Sequence, residues 1–478
     1  MFQGLHRRVT SLGLWGSVCF FFSLFIASGS LVLGAFILAG ILLLVAILMG
    51  PQFIAAFWLL GSPTIFGFPN EILRLLPFVT MERILLALLA GMVFLKMAFV
   101  KTHQPRLIFL EALILIFLSY ALVSLALHTT PERLSHDGWF LLQYALPMTA
   151  FIVSRRIQWS ENGLRLLLAG ITAVGVFLAI VGVLQLLFGV TIFTTDYQTI
   201  TLGHKERAYG TFSNAHTYVA TLFIFLILTL IQVNIYRDYL IRFVLLSAML
   251  MIVIGIILGQ SRAPWGGGVI ALFIIYLRDR EVRSLLVAGG IVALLGGIVV
   301  LLIKIDDLGS FINRVSDLGT MAGRLATWST ALNMIAHNPV FGVGFGADSF
   351  LLHKAEYITS IGSLPAEYAL HLSVPHNEYL HIAVQLGLLG LAIFLAIMYN
   401  LVKLLITTYR DEEYPQLYRK LSLYIGAIVI GLLFNSLFSD TYLQDYFWTV
   451  TYFLAGLVTG AHGHREYDVL SSQVGQKP

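Results

Sequence analysis

Apolar runs long enough to cross a bilayer recur from one end of the 478-residue chain to the other, and nothing else in the sequence limits its possible folds so strongly. A spanning helix needs roughly 20 apolar residues, and fewer where neighbouring protein covers its ends. Such runs occupy residues 12–27, 31–49, 53–66, 84–100, 107–127, 139–153, 166–187, 218–233, 243–258, 265–277, 285–303, 379–398, 421–438 and 447–458. The third and tenth are short, so the expected architecture is an all-α polytopic integral membrane protein with about 12 to 14 transmembrane helices. Only 11% of the residues are charged, about half the share usual in a soluble domain, which excludes an ordinary cytosolic enzyme. The formal net charge of +4 is spread thinly, with no basic tract for nucleic acid. The single cysteine, Cys19, lies in an apolar run, which excludes intramolecular disulfides and cysteine-ligated zinc. The first run passes into the second through Ser28, Gly29 and Ser30 without a small-residue cleavage site, so no cleavable signal peptide is expected.

Positively charged short loops stay in the cytoplasm. Arg7 and Arg8, Lys101 and Arg106, Arg155 and Arg156, Arg237 and Arg242, Arg278 to Arg283, and Arg410 to Lys420 fall on one side of a fourteen-span arrangement. Both termini are then cytoplasmic. The same alternation leaves residues 304–375 on the outer face, a loop of roughly 70 residues, far longer than ordinary connections and of a length that is usually functional or disordered. Its composition is not that of disorder. The resulting division is residues 1–303 as amino-terminal transmembrane helices, 304–378 as a large, partly helical external loop, 379–462 as carboxy-terminal transmembrane helices and 463–478 as a cytoplasmic tail. Within the loop, Leu325, Trp328, Leu332 and Ile335 share one helical face, which predicts an amphipathic helix at the membrane surface starting at Arg324. Gly342, Gly344 and Gly346 follow as a turn; without a preceding strand they do not form a nucleotide loop.

Chemistry is sought where outward loops hold cations that the charge rule does not explain. Arg262, between two apolar runs, reads equally as a snorkelling anchor beside Trp265 or as a phosphate ligand, since a guanidinium fork matches phosphate oxygens. Arg324 is either a solvated charge on an amphipathic helix or, at a helix start, part of an anion site. His376 precedes an apolar run in Pro375-His376-Asn377-Glu378, where an imidazole can exchange protons near neutral pH or simply cap the helix. His371, His376 and His381 are five residues apart, turning about 140° per step, so they do not share a metal-binding face and no metal is assigned. Arg83 and Arg133 are read as interface anchors.

Four passages carry a resemblance. They are Arg207-Ala208-Tyr209-Gly210-Thr211-Phe212-Ser213-Asn214; Ser261-Arg262; Gly323-Arg324-Leu325-Ala326-Thr327-Trp328 followed by Asn338-Pro339-Val340-Phe341-Gly342-Val343-Gly344; and His376-Asn377 with Gly387 and Gly390 downstream. Together they resemble the bacterial O-antigen ligase and polysaccharide polymerase superfamily of membrane glycosyltransferases, most securely from about residue 191 to 459. Leu391 departs from that pattern, which has a small or hydroxylated residue there. An arginine with leucine four residues later occurs in this region at Arg314 and Leu318, whereas Arg262 is followed at that distance by Gly266.

The resemblance implies transfer of a glycan from an undecaprenyl diphosphate carrier to an acceptor hydroxyl, without a metal, nucleotide sugar or other cofactor. It implies that Arg262 and Arg324 hold the diphosphate, with Arg207 a third candidate, and that His376 orients or deprotonates the acceptor, supported by Asn377 and Glu378. Glu378 and Asp440 both remain candidates for a share of the base role. The partners would be the carrier-linked donor, a lipid or glycan acceptor and membrane lipids. The His376 signature favours a ligase acting on lipid A–core or a similar acceptor; a polymerase using a second carrier-linked repeat is the alternative. A lipid-linked glycan transporter is the reading from another class, but the apolar runs show neither midspan charge nor repeated halves.

Overall fold

A computed structural model describes residues 50–64, 81–99, 107–190, 207–290, 318–358, 373–444 and 446–474. The predicted spans at 12–27 and 31–49, most of that at 285–303, and the loop stretches 304–317 and 359–372 lie outside the described residues, as do Cys19 and His371. Among the described residues every regular element is helical. The α-helices are α1 (Pro51–Gly61), α2 (Met81–Phe99), α3 (Phe109–His128), α4 (Leu134–Ser154), α5 (Glu161–Phe188), α6 (Ala215–Ile235), α7 (Tyr239–Gly259), α8 (Arg262–Arg278), α9 (Leu318–His337), α10 (Ser349–Tyr357), α11 (Glu378–Arg410), α12 (Gln416–Asn435) and α13 (Tyr446–Val474). Among them α3, α5, α6, α7, α11 and α12 are long and apolar enough to cross a membrane, so the chain is a multi-pass, all-helical membrane protein. The third predicted run is a helix of only 11 residues.

Short polar residues start the helices as capping requires. Ser160, Asn214, Asp238 and Asn377 each accept a first-turn N–H at the head of α5, α6, α7 and α11. Gly189, with φ of 66°, ends α5 in the left-handed conformation. The helices pack closely through small residues: the backbones of Gly267 in α8 and Gly431 in α12 meet so tightly that a Cβ on either would lie within 2.4 Å of the other's carbonyl oxygen. Gly456 in α13 rides against the Phe151 carbonyl of α4 in the same way. Lipid offers little hydrophobic drive between spans, so this close van der Waals contact is what holds them. α6 sits centrally and is buried along almost its whole length, whereas α7 turns Tyr239, Leu240, Phe243 and Val244 outward.

Helix α11 is broken at Gly387, where φ is 68° and ψ −174°. The break frees three carbonyls that a continuous helix would have bonded to itself, and an unpaired carbonyl in an apolar environment costs free energy. Each finds another donor: Val343 N–H reaches the Val384 carbonyl at 2.8 Å, Gly344 N–H reaches Gln385 at 3.1 Å, and the Tyr120 hydroxyl reaches Leu386 at 2.9 Å. In return Leu388 N–H donates to the Pro339 carbonyl at 2.8 Å. The segment 339–346 thus takes over the hydrogen bonding of the interrupted turn, and Gly342 and Gly344, both at positive φ, shape it to do so. The glycine turn read from the sequence is a seat for the external loop on α11.

One expectation for this segment is corrected: α9 begins at Leu318, so Arg324 is its seventh residue and does not start the helix. Gly319 and Gly323 read as breakers, but a helix tolerates glycine at a cost of about 1 kcal/mol when packing compensates, and Gly323 is buried. On the apolar face Leu325 and Leu332 are 44% and 56% exposed and Trp328 and Ile335 half-buried, while Ala326, Thr327, Thr330, Ala331 and Met334 are buried. Small residues face inward because α9 packs directly on Leu380 and Val384 of α11 and on Phe350 of α10. Arg133 is likewise no simple interface anchor, since its guanidinium pairs with Asp348 of the external loop at 3.2 Å. Arg83 lies over the Trp139 ring at 5.1 Å.

Candidate functional site

The site is built around the start of α11. Asn377 caps the helix through the Leu380 N–H at 3.1 Å, which leaves His376 immediately outside it at a φ of 52°. Left-handed backbone at a non-glycine residue is uncommon and is retained where the surroundings impose it. The imposing contact comes from α9: the Trp328 indole donates to the Pro375 carbonyl at 2.9 Å and ties the external loop to the residue before His376.

Asp440 arrives from the turn after α12. That turn is locked onto α11 by the Glu378 N–H to the Ser436 carbonyl at 2.9 Å, and by Tyr442 N–H to Glu378 Oε2 at 3.0 Å. The Tyr144 hydroxyl donates to the other Glu378 oxygen at 2.6 Å. Glu378 is wholly buried, and both its oxygens serve this junction. The Asp440 carboxylate then lies between two imidazoles, with His376 Nδ1 3.4 Å from Oδ2 and His381 Nδ1 3.1 Å from Oδ1. Burial alone would push its pKa up, but His376 and His381 outweigh burial and hold the carboxyl well below the usual carboxylate range.

Two arginines face the same place. Burial first, and the charge of Arg262 second, lower the Arg324 pKa from the usual guanidinium value, with Asp440 opposing. The guanidinium nonetheless stays charged at neutral pH. Arg262 and Arg324 are therefore within electrostatic reach of each other and of the carboxylate beside His376. Arg262 is the first residue of α8, exposed at its outer end, and Arg324 Nε is buried with no hydrogen-bond partner among the described residues. Two like charges held together repel, and an anion between them relieves the repulsion. His216, in the first turn of α6, accepts from or donates to the Asn435 side chain at 3.1 Å and lies within electrostatic reach of Arg324, Asp440 and His376.

The structure thus brings Arg262, Arg324, His376 and Asp440 together, with Asn377 and Glu378 shaping the turn that carries His376. Arg207 is exposed, in a segment joined to α7 by the Ala208 N–H to Leu258 carbonyl bond, and no contact among the described residues links it to His376. The sequence reading passed over His216 and His381. His216 lies two residues beyond Asn214, the last residue of one of the passages that carried the resemblance. His381 was weighed only as a metal ligand; an ionisable residue inside an apolar span is itself a functional signal.

Residues 246–395, which include Arg262, Arg324, His376 and the broken helix, match the family model described as O-antigen ligase. A Rickettsia typhi protein provisionally named a polysaccharide ligase is 29% identical over 132 residues. Over this segment the chain is similar to the O-antigen ligase family. Similarly named proteins of Rickettsia felis and Rickettsia prowazekii are 26% and 27% identical over matches of the same extent. Each match covers 27% of this chain and 30% of the relative, so under a third of each relative's length is spanned. Within the superfamily segment, the Gly387 break and its seat in the external loop are the structural counterpart of the His376, Gly387 and Gly390 spacing.

Proposed function

We propose that the protein transfers a glycan from an undecaprenyl diphosphate carrier to an acceptor hydroxyl on the outer, periplasmic face of the bacterial inner membrane. It acts as an O-antigen ligase whose acceptor is lipid A–core or a similar lipid-linked glycan. The reading takes the full chain as having about 12 to 14 spans, divided at residues 303, 378 and 462, with the long loop over the site. The observation that carries it is the convergence of Arg262, Arg324, His376 and Asp440 on one place.

In this reaction the acceptor oxygen attacks the anomeric carbon as the bond from that carbon to the carrier's phosphate oxygen breaks. The electron pair leaves with the diphosphate, where Arg262 and Arg324 stabilise the growing negative charge. The acceptor proton passes to His376, and Asp440, ionised beside it, stabilises the imidazolium that forms. Attack from the face opposite the leaving group inverts the anomeric configuration. The arginines supply the charge a metal would otherwise provide, so the step is metal-independent. Arg207 is placed at the edge of the site, toward the glycan or the carrier. The Rickettsia names for polysaccharide ligases agree in reaction class.

The test is transfer by the purified protein in nanodiscs from an undecaprenyl diphosphate-linked oligosaccharide, with lipid A–core and a second carrier-linked repeat offered together. Label on lipid A–core is expected, falling about 100-fold or more in His376→Ala. Carrier-linked ladders instead would make the enzyme a polymerase. Absence of product on either acceptor would sink the transferase reading and favour a transporter.

A further inference from the structure

His381 is a buried ionisable group beside Asp440 to which the proposed reaction gives no task. Its side chain is fully buried, one turn into α11, with the Phe140 ring 5.8 Å away. Two polar neighbours meet it. Nε2 lies 2.7 Å from the Gln385 amide nitrogen, and Nδ1 lies 3.1 Å from Asp440 Oδ1. That Nδ1 and that Oδ1 face each other as a close polar contact, and neither makes an aligned hydrogen bond among the described residues.

The orientation of Gln385 decides which ring nitrogen carries the proton. Its amide nitrogen also lies 3.1 Å from the Gly346 carbonyl. A carbonyl accepts and never donates, so turning the amide over would set two oxygens against each other in a buried place. With the NH2 thus held toward Gly346, it donates its second hydrogen to His381 Nε2. That nitrogen is then an acceptor, and the ring's proton sits on Nδ1, the nitrogen 3.1 Å from Asp440 Oδ1. Gly346 itself is anchored from outside: Ala347 N–H donates to Asp137 Oδ1 at 2.9 Å, and Phe345 N–H to the Ser124 hydroxyl at 3.1 Å.

We propose that His381 is a positioning residue: kept in its Nδ1–H form by Gln385 and the Gly346 carbonyl, it holds the Asp440 carboxylate with its second oxygen toward His376. The chain from Gly346 through Gln385, His381 and Asp440 to His376 makes the geometry of the base depend on the external loop being seated on α11. The charged and titratable groups around this chain are Glu378 on the same helix, Arg324 on α9, Arg262 on α8 and His216 on α6. The assignment rests on the proposed transfer for its meaning but not for its test.

Nitrogen-15 spectra of the full chain, histidine-labelled and held in nanodiscs, read the tautomer whether or not glycan is transferred. One neutral Nδ1–H imidazole is expected to disappear in His381→Asn, and a switch of that signal to the other tautomer is expected in Gln385→Leu. A His381 signal that is Nε2-protonated or doubly protonated in the parent protein would overturn the proposal. In the transfer assay, His381→Leu is expected to lower kcat at least about tenfold with the donor KM nearly unchanged, because no substrate contact is removed. His381→Asn, whose side-chain amide can donate from the place of Nδ1, is expected to recover most of that loss. A raised KM at normal kcat, or an Asn variant as impaired as the Leu variant although both elute as intact protein, would also overturn it. Should the Leu variant not fold, Gln385→Leu carries the same kcat expectation. An inactive parent protein with the expected tautomer would count against glycan transfer alone.

Discussion

At the scale of the residue, Asp440 has the sharpest consequences. A buried carboxylate is costly unless paired, and here His376 and His381 flank it. Removing the charge in Asp440→Asn is expected to lower transfer and to destabilise the protein by about 1–3 kcal/mol, since one ring nitrogen then faces an amide NH2 in place of a carboxylate oxygen. The pH dependence follows in sign. The folded pKa of Asp440 lies below the unfolded value of about 3.9, so its contribution is present above that value and is lost as pH falls through the folded pKa. Thermal unfolding in detergent should separate the parent and Asp440→Asn from neutral pH down to about pH 5, with the gap closing only below about pH 4. A gap that vanished already near pH 6 would contradict the pairing. His376 and Arg324 were legible in the sequence because each departs from its setting, a histidine before an apolar run and an arginine in an outer loop. Asp440 was legible only as a candidate, because the turn that brings it to His376 is closed by contacts to Glu378 that have no local spacing.

At the scale of the element, most helices were legible from apolar length, and their starts from Ser160, Asn214, Asp238 and Asn377. The break in α11 was not. The run around Gly387 is apolar throughout, and periodicity cannot distinguish a straight helix from one interrupted by a neighbouring loop. Nor does the apolar stripe of α9 tell which of its residues pack on α11: burial there follows close approach by small residues, which bulk alone does not announce. Gly387 and Gly426 make the contrast testable. A Cβ at Gly387 would stand 2.1 Å from the Val340 carbonyl oxygen at a φ that side chains avoid, so Gly387→Ala is expected to destabilise by about 3 kcal/mol or more. At Gly426 in α12 the nearest atom is 3.7 Å away, an ordinary contact, so Gly426→Ala is expected to stabilise by about 0.5–1 kcal/mol. Melting curves of the two variants in detergent should move in opposite directions; a harmless Gly387→Ala would mean that the external loop is not seated as described.

At the scale of the whole molecule, the argument turns on which side of the membrane the cluster faces. α11 has 33 residues, about 50 Å of helix at 1.5 Å per residue, against a bilayer core of about 30 Å. Its last turn carries Arg410 and the first turns of α12 carry Arg419 and Lys420, flanking the short connection 411–415 with its Asp411, Glu412 and Glu413; Lys and Arg beside a short loop are the mark of a cytoplasmic connection, where Asp and Glu count little. Counting back from that end, the bilayer is filled by the part of α11 beyond Gly387. On the proposed topology the segment from Glu378 to the break stands at the opposite, outer interface, with His376 and Asp440. Glu378, His381 and Gln385 are tolerated in a helix otherwise apolar because they are buried in protein. With Cys19 replaced by serine, single cysteines at the exposed positions Leu352 and Glu412 give the test. In intact spheroplasts a membrane-impermeant maleimide is expected to label Leu352→Cys, on α10 of the external loop, and to label Glu412→Cys only after permeabilisation. The reverse pattern would place the His376 cluster in the cytoplasm, where an acceptor delivered to the outer leaflet could not reach it.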